Sequence, residues 1–301
     1  MSPILVGTAS WTDKTLIDCK RFYPRGCSTA ELRLRHYASQ FALVEVDSSY
    51  YAMPSARNAA LWAERTPAAF TFNVKAFRAL TQHQTPRQAL PRDLLAALPA
   101  STRSNIYYKD LPSELRDELW ARFSAAVAPL AQAGKLGALH FQFPPWFTAR
   151  RENQAYLEHV RARLPGHCVA IEFRHASWFA PAQRAATLAL ERSLDLCNVV
   201  VDEPQGFQQS IPAVWEVTSP TLALLRLHGR NAATWTEPGL AAASDRFNYD
   251  YSRAELAQFV PPLRALAAAA ARVHVIFNNN CEDQGVRNGR ELVGLLAADA
   301  A

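Results

Sequence analysis

Eight ionisable side chains stand at the ends of short apolar runs: Glu45, Asp47, Lys75, Glu172, Arg174, Asp202, Arg226 and His228. Carboxylates handle protons, lysine and arginine hold carboxylate or phosphate groups, and imidazole can serve either purpose. Brought together, such groups would form a general acid–base site for a small anionic or sugar-like molecule. Glu172 is the first candidate for proton handling, with Asp202, Glu45 and His228 as further catalytic candidates. Lys75, Arg174, Arg226 and Arg230 would hold the anion, while Asp47, Gln142, Asn278 and Asn279 would orient a polar ligand. Trp11, Tyr50 and Trp178 are rim aromatics suited to stacking on a ring, as are Tyr51, Trp146 and Trp235. No cofactor is expected. A divalent cation, if bound, would take Glu45, Glu172, Asp202 and His228 as ligands, in competition with Lys75, Arg174 and Arg226 for the same carboxylates.

Convergence depends on the elements that carry these residues. Short apolar runs bounded by turn residues recur at 4–8, 43–47, 70–75, 137–142, 168–174, 198–202, 222–228 and 273–278, and each reads as a strand. Amphipathic helical stretches separate most of them, at 30–40, 55–65, 113–133, 152–164, 181–194, 252–271 and 285–298. Eight alternating strand–helix units predict one (β/α)8 barrel domain over 1–301. The doubly wound alternative lacks its glycine-rich first turn. Insertions are expected after the third strand (76–111, with a short helix near 92–98) and the seventh (231–251). The sixth connection, 203–220, carries little helical pattern.

Side chains alternate across a strand, so parity can be read within each run. Val44 and Val46 oppose Glu45 and Asp47; Phe72 and Val74 oppose Asn73 and Lys75; Leu139 and Phe141 oppose His140 and Gln142. Ile171 and Phe173 oppose Glu172 and Arg174, and Val199 and Val201 oppose Val200 and Asp202. Leu225 and Leu227 oppose Arg226 and His228, and Val275 and Phe277 oppose Ile276 and Asn278. The apolar face suits packing under helices, so the polar face is expected to point into the barrel. Isolated charge in an apolar interior is heavily penalised, which implies a hydrated pocket, a salt-bridged network, or both.

Composition sets the remaining bounds. Five scattered cysteines without a Cys-x-x-Cys pair argue against a disulfide framework, and no basic-then-apolar leader or membrane-length apolar run occurs, so a cytoplasmic protein is expected. The net charge of +5 is spread along the chain rather than gathered in a block.

The sequence also resembles the YecE-like family, known as domain of unknown function 72, through stretches in matching order and spacing. These include Val6-Gly7-Thr8-Ala9-Ser10-Trp11, Val44-Glu45-Val46-Asp47-Ser48-Ser49-Tyr50-Tyr51, Phe72-Asn73-Val74-Lys75 and Phe141-Gln142-Phe143-Pro144-Pro145. They continue with Glu172-Phe173-Arg174-His175-Ala176-Ser177-Trp178, Arg226-Leu227-His228-Gly229-Arg230 and Phe277-Asn278-Asn279. The resemblance implies a barrel and no particular activity. Two positions depart from the family pattern, which usually has glycine at position 10 and asparagine at position 47.

Three functional readings follow. The first is a hydrolase or isomerase acting on a small anionic or sugar-like substrate by carboxylate acid–base chemistry. The second is a nucleic-acid-binding or phosphodiester-cleaving protein using a basic rim of Arg78, Arg87, Arg92, Arg103 and Lys109. The third is a ligand-binding protein without turnover. No membrane partner is expected, and no residue pattern sets an oligomeric state.

Overall fold

Eight parallel strands close on themselves in chain order: β1 (Ile4–Ala9), β2 (Leu43–Val46), β3 (Thr71–Lys75), β4 (Leu136–Gln142), β5 (Val169–Glu172), β6 (Leu196–Asp202), β7 (Ala223–Leu227) and β8 (Val273–Phe277). The structure is a computed structural model that describes residues 2–99, 101–207, 210–237 and 243–299. Outer helices follow the strands as the periodicity predicts: α1 (Ala30–Gln40), α2 (Ala56–Glu64), α3 (Ser113–Gln132), α4 (Arg151–Arg163), α5 (Arg184–Ser193), α6 (Arg253–Gln258), α7 (Val260–Ala269) and α8 (Gln284–Ala298). This is the (β/α)8 architecture. No helix among the described residues is long and apolar enough to cross a membrane.

Local chemistry explains where the helices begin. Thr29 and Ser55 accept the backbone N–H groups of Leu32 and Asn58, capping α1 and α2. Ser252 and Glu255 cap α6 reciprocally. The single helix expected over 252–271 is instead broken at Phe259, because Pro261 and Pro262 supply no N–H and suit only the first turn of a new helix.

The insertion after β3 holds a two-residue antiparallel pair (Thr85–Pro86 with Asn105–Ile106) and the helix Arg92–Ala96, close to the expected position. No helix is described in the connection after β6. Side chains tie it down instead: Asn198 donates to the Val214 carbonyl, and Thr218 Oγ1 accepts from Asn198 N and donates to the Leu196 carbonyl. Part of the loop after β7 lies outside the described residues.

Register decides which side chains enter the barrel. Glu45 is level with Asn73, Lys75 with His140, Gln142 with Glu172, and Arg226 with both Val201 and Ile276. Val200, Leu225, Leu227, Val275 and Phe277 face outward and pack with α7 residues Leu263 and Leu266 and α8 residue Leu292.

Two positions carry a cost that substitution should relieve. Ser10 closes β1 at φ 91°, a region that side-chain-bearing residues rarely occupy. Ser10→Gly should raise stability by about 1 kcal/mol, read from urea midpoints. Glu191 on α5 is fully buried, neither carboxyl oxygen has a hydrogen-bond partner, and burial raises its pKa well above 4.5. A raised acid binds its proton more tightly when folded, so its contribution is greatest below the ordinary carboxylate range and declines as pH rises toward the raised value. Glu191→Met should therefore raise Tm most at the alkaline end of a pH series, by about 1–3 kcal/mol equivalent. An unchanged pH profile would contradict this account.

Candidate active site

The barrel's centre is an ion pair built from three strands. Arg226 on β7 donates from Nη2 to Glu45 Oε1 on β2 and from Nη1 to Glu172 Oε2 on β5, both at 2.6 Å. All three side chains are fully buried. His140 from β4 lies between the same carboxylates, its Nδ1 3.1 Å from Glu45 Oε2 and its Nε2 3.2 Å from Glu172 Oε2. These approaches are close but not aligned as hydrogen bonds.

A second tier covers this floor. His228 Nε2 is 3.1 Å from Glu172 Oε1, and Asn278 Nδ2 is 2.9 Å from His228 Nδ1. This network fits a neutral imidazole that donates from Nε2 and accepts at Nδ1. Burial lowers the His228 pKa to about 3, against the pull of Glu172. Arg226 also comes within 3.4 Å of Asn278 Oδ1 and 3.5 Å of Gln142 Oε1. Arg174 Nη1 bridges Glu172 Oε1 at 3.2 Å and Glu203 Oε2 at 2.7 Å, beneath the Trp235 ring. At the opposite side of the mouth, Lys75 Nζ donates to Asp47 Oδ1 at 2.8 Å and sits 4.9 Å from the Tyr50 ring centroid.

The carboxyl groups are driven apart. Burial would raise both Glu45 and Glu172, but Arg226 and the imidazoles more than offset it and hold both well below the usual carboxylate range. Burial raises Glu203 to about 7, opposed by Arg174 and by the Ile211 backbone N–H. Glu172, expected to handle the proton, is thus a fixed anion of the network. Among these carboxyl groups Glu203 is the one raised above the usual carboxylate range.

Of the expected site residues, Glu45, Glu172, Arg226, His228, Gln142, Asn278 and Arg174 are brought together, with Lys75, Asp47 and Tyr50 along one edge. Five lie elsewhere. Asp202 pairs level with Leu227 and faces outward, where it accepts from Arg230 and from the Tyr251 hydroxyl at 2.6 Å. The β6 run is apolar on both faces, so its parity could not be read from its valines, and the inward carboxylate is Glu203, in phase with Val199 and Val201. Arg230 follows Asp202 outward and also reaches Glu255. Asn279 donates to Asn288 and the Tyr249 carbonyl. Trp178 is buried between Phe147 and Phe173, and Trp11 packs against Trp62 and Phe72. Both indoles are packing groups. A step of one residue past the strand end was the available signal for Glu203.

The ligand set considered for a cation is divided by this arrangement. Asp202 faces away, and the Arg226 guanidinium occupies the space between Glu45 and Glu172. Among the described residues no group of three His, Cys, Asp or Glu side chains is arranged to hold a metal ion.

Removing the cation leaves two buried carboxylates facing each other. Arg226→Met should destabilise the fold by about 3–5 kcal/mol, measured by chemical denaturation. Loss of less than about 1 kcal/mol would mean the network contributes little.

The chain matches the family model described as "Protein of unknown function DUF72" over residues 5–301. It is 32% identical over 295 residues to the UPF0759 protein YunF of Bacillus subtilis, covering 97% of this chain and 94% of that one. A DUF72 family protein of Enterococcus faecalis V583 superposes with a TM-score of 0.80 at 28% identity, over 98% of this chain and 95% of that one. One from Thermotoga maritima MSB8 gives 0.77 at 26% identity, over 98% and 99%. These matches agree with the motif order and with the barrel, and this chain belongs to the DUF72 family.

Proposed function

We propose that the protein is an enzyme, a hydrolase or isomerase, that acts on a small anionic or sugar-like molecule at the mouth of the barrel by proton transfer. One observation carries the reading. A single guanidinium, Arg174, is shared by Glu172, held ionised, and Glu203, held near neutrality. Two carboxyl groups whose environments push their proton affinities apart are how a site assigns acid and base roles at neutral pH. Glu203 is then the general acid or base, and Glu172 the anion that fixes Arg174, Arg226 and His228.

The floor supports this division. Its charges are locally paired and closed to solvent, so they set the field without needing to move. Arg174 and Lys75, closer to the mouth, supply positive charge for an anionic group, and Gln142 and Asn278 supply amides for hydroxyls.

The test begins with a thermal-shift panel of sugar phosphates, dicarboxylates and neutral sugars on the full chain. A ligand at about 100 times its Kd should add about 2.7 kcal/mol of stability. The shift should disappear in Arg174→Met. A substrate found this way should turn over with a pH limb near 7, and Glu203→Gln should lower kcat by about 10²–10⁴-fold while retaining binding. Turnover unchanged in Glu203→Gln, or a panel with no stabilising anion or sugar, would end the reading.

A further inference from the structure

Beside the mouth, and separate from its ion-pair network, lies a groove of about 460 Å³. Gln82 and the Tyr107–Lys109 turn come from the insertion after β3, Arg116 from the first turns of α3, and Trp146 from the loop after β4. The size is that of a small-molecule site. Trp146 is 56% exposed, one of few large apolar side chains so open to solvent among the described residues. Its ring lies 6.1 Å from His83, which meets Tyr50 at 5.1 Å, so an aromatic rank joins the groove to the Lys75 edge of the mouth.

The charged lining is cationic. Lys109 and Arg116 face the groove, and no carboxylate lines it. The nearby acids are engaged elsewhere: Asp117 pairs with Arg163, and Asp110 accepts the Tyr107 backbone N–H at 3.3 Å. The Arg116 guanidinium rests 5.7 Å from the Tyr108 ring centroid, which holds its charge at the groove wall. A neutral sugar would call for carboxylate or amide acceptors at its hydroxyls, and Gln82 is the single amide. Two cations beside an exposed indole instead suit a planar ring that carries a dianion.

We propose that this groove is a binding site for a nucleoside monophosphate, with the base stacked on Trp146 and the phosphate held by Arg116 and Lys109. Stacking is tolerant of base identity because every base has a π face, so purine and pyrimidine nucleotides both bind. The phosphate contact makes binding weaken with salt. The site is independent of the proton-transfer chemistry proposed for the mouth.

Calorimetric titration of the full chain with AMP, adenosine and ribose 5-phosphate at low salt tests it. AMP should bind, and each half-ligand should bind at least about tenfold more weakly, since a tenfold loss is about 1.4 kcal/mol and a stacked base contributes about 1–3 kcal/mol. Trp146→Ala and Arg116→Gln should each weaken AMP about tenfold or more. Trp146 is exposed, so its replacement leaves the fold intact, which a thermal melt verifies. Glu203→Gln should bind AMP as the parent chain does. Any of four results overturns the proposal: no AMP binding at millimolar concentration; ribose 5-phosphate or adenosine binding as tightly as AMP; AMP affinity unchanged in either Trp146→Ala or Arg116→Gln; or AMP binding lost in Glu203→Gln, which would place the nucleotide in the mouth.

Discussion

A guanidinium buried on the barrel axis is the constraint around which the other interior groups are arranged. The Arg226 side chain is fully buried, so its charge must be met inside the protein. Glu45 and Glu172 meet it from positions 181 and 54 residues away in sequence. Neither partner is local, so the pairing forms only when β2, β5 and β7 stand around a common axis. Barrel closure and charge neutralisation are therefore one requirement. A barrel that slipped by one residue on any of these strands would put an ionised group under the apolar helical layer.

The same network sorts the ionisable groups into those that hold a charge and those that can change it. Close to Arg226 the carboxylates are locked in the ionised state, and the neighbouring His228 is kept neutral with both ring nitrogens engaged. One residue beyond the strand end, Glu203 has burial without full compensation, and its proton is held near neutrality. The carboxyl group with the raised proton affinity thus lies at the boundary between the saturated floor and the mouth. Arg174 links the two tiers, and the Trp235 ring over it limits water at that junction.

An outer polar lock supports the arrangement from behind. Asp202, Arg230 and Tyr251 join the end of β6 to the loop after β7, and the Tyr251 hydroxyl also accepts from the Gly229 backbone N–H. Gly229 takes φ 84° there, and a side chain at that position would meet Tyr249 within 2.6 Å. Glu203 and His228, the neighbours of Asp202 and Gly229, are held on the opposite side of the backbone by this turn. Asp202 and Arg230, expected from the sequence to face the site, are thus part of the brace that aims the residues next to them.

Eight strands, their order and the inward direction of Glu45, Lys75, His140, Glu172, Arg226 and Asn278 were legible in the chain, because a two-residue period separates apolar from polar faces wherever the two differ. On β6 they do not differ: Val199, Val200 and Val201 carry no contrast, and whether Asp202 or Glu203 entered the barrel was decided only by register against Arg226 and Leu227. The helix break at Phe259 was written in Pro261 and Pro262, whereas the packing of Trp11 and Trp178 was not, since an indole reads the same whether it lines a mouth or fills a gap between helices. Ionisation was beyond the chain for the same reason. Glu172 and Glu203 are identical side chains, and only closure of the sheet, which sets the Arg226 guanidinium against Glu172 and leaves Glu203 with Arg174 alone, holds the first well below the usual carboxylate range while burial raises the second.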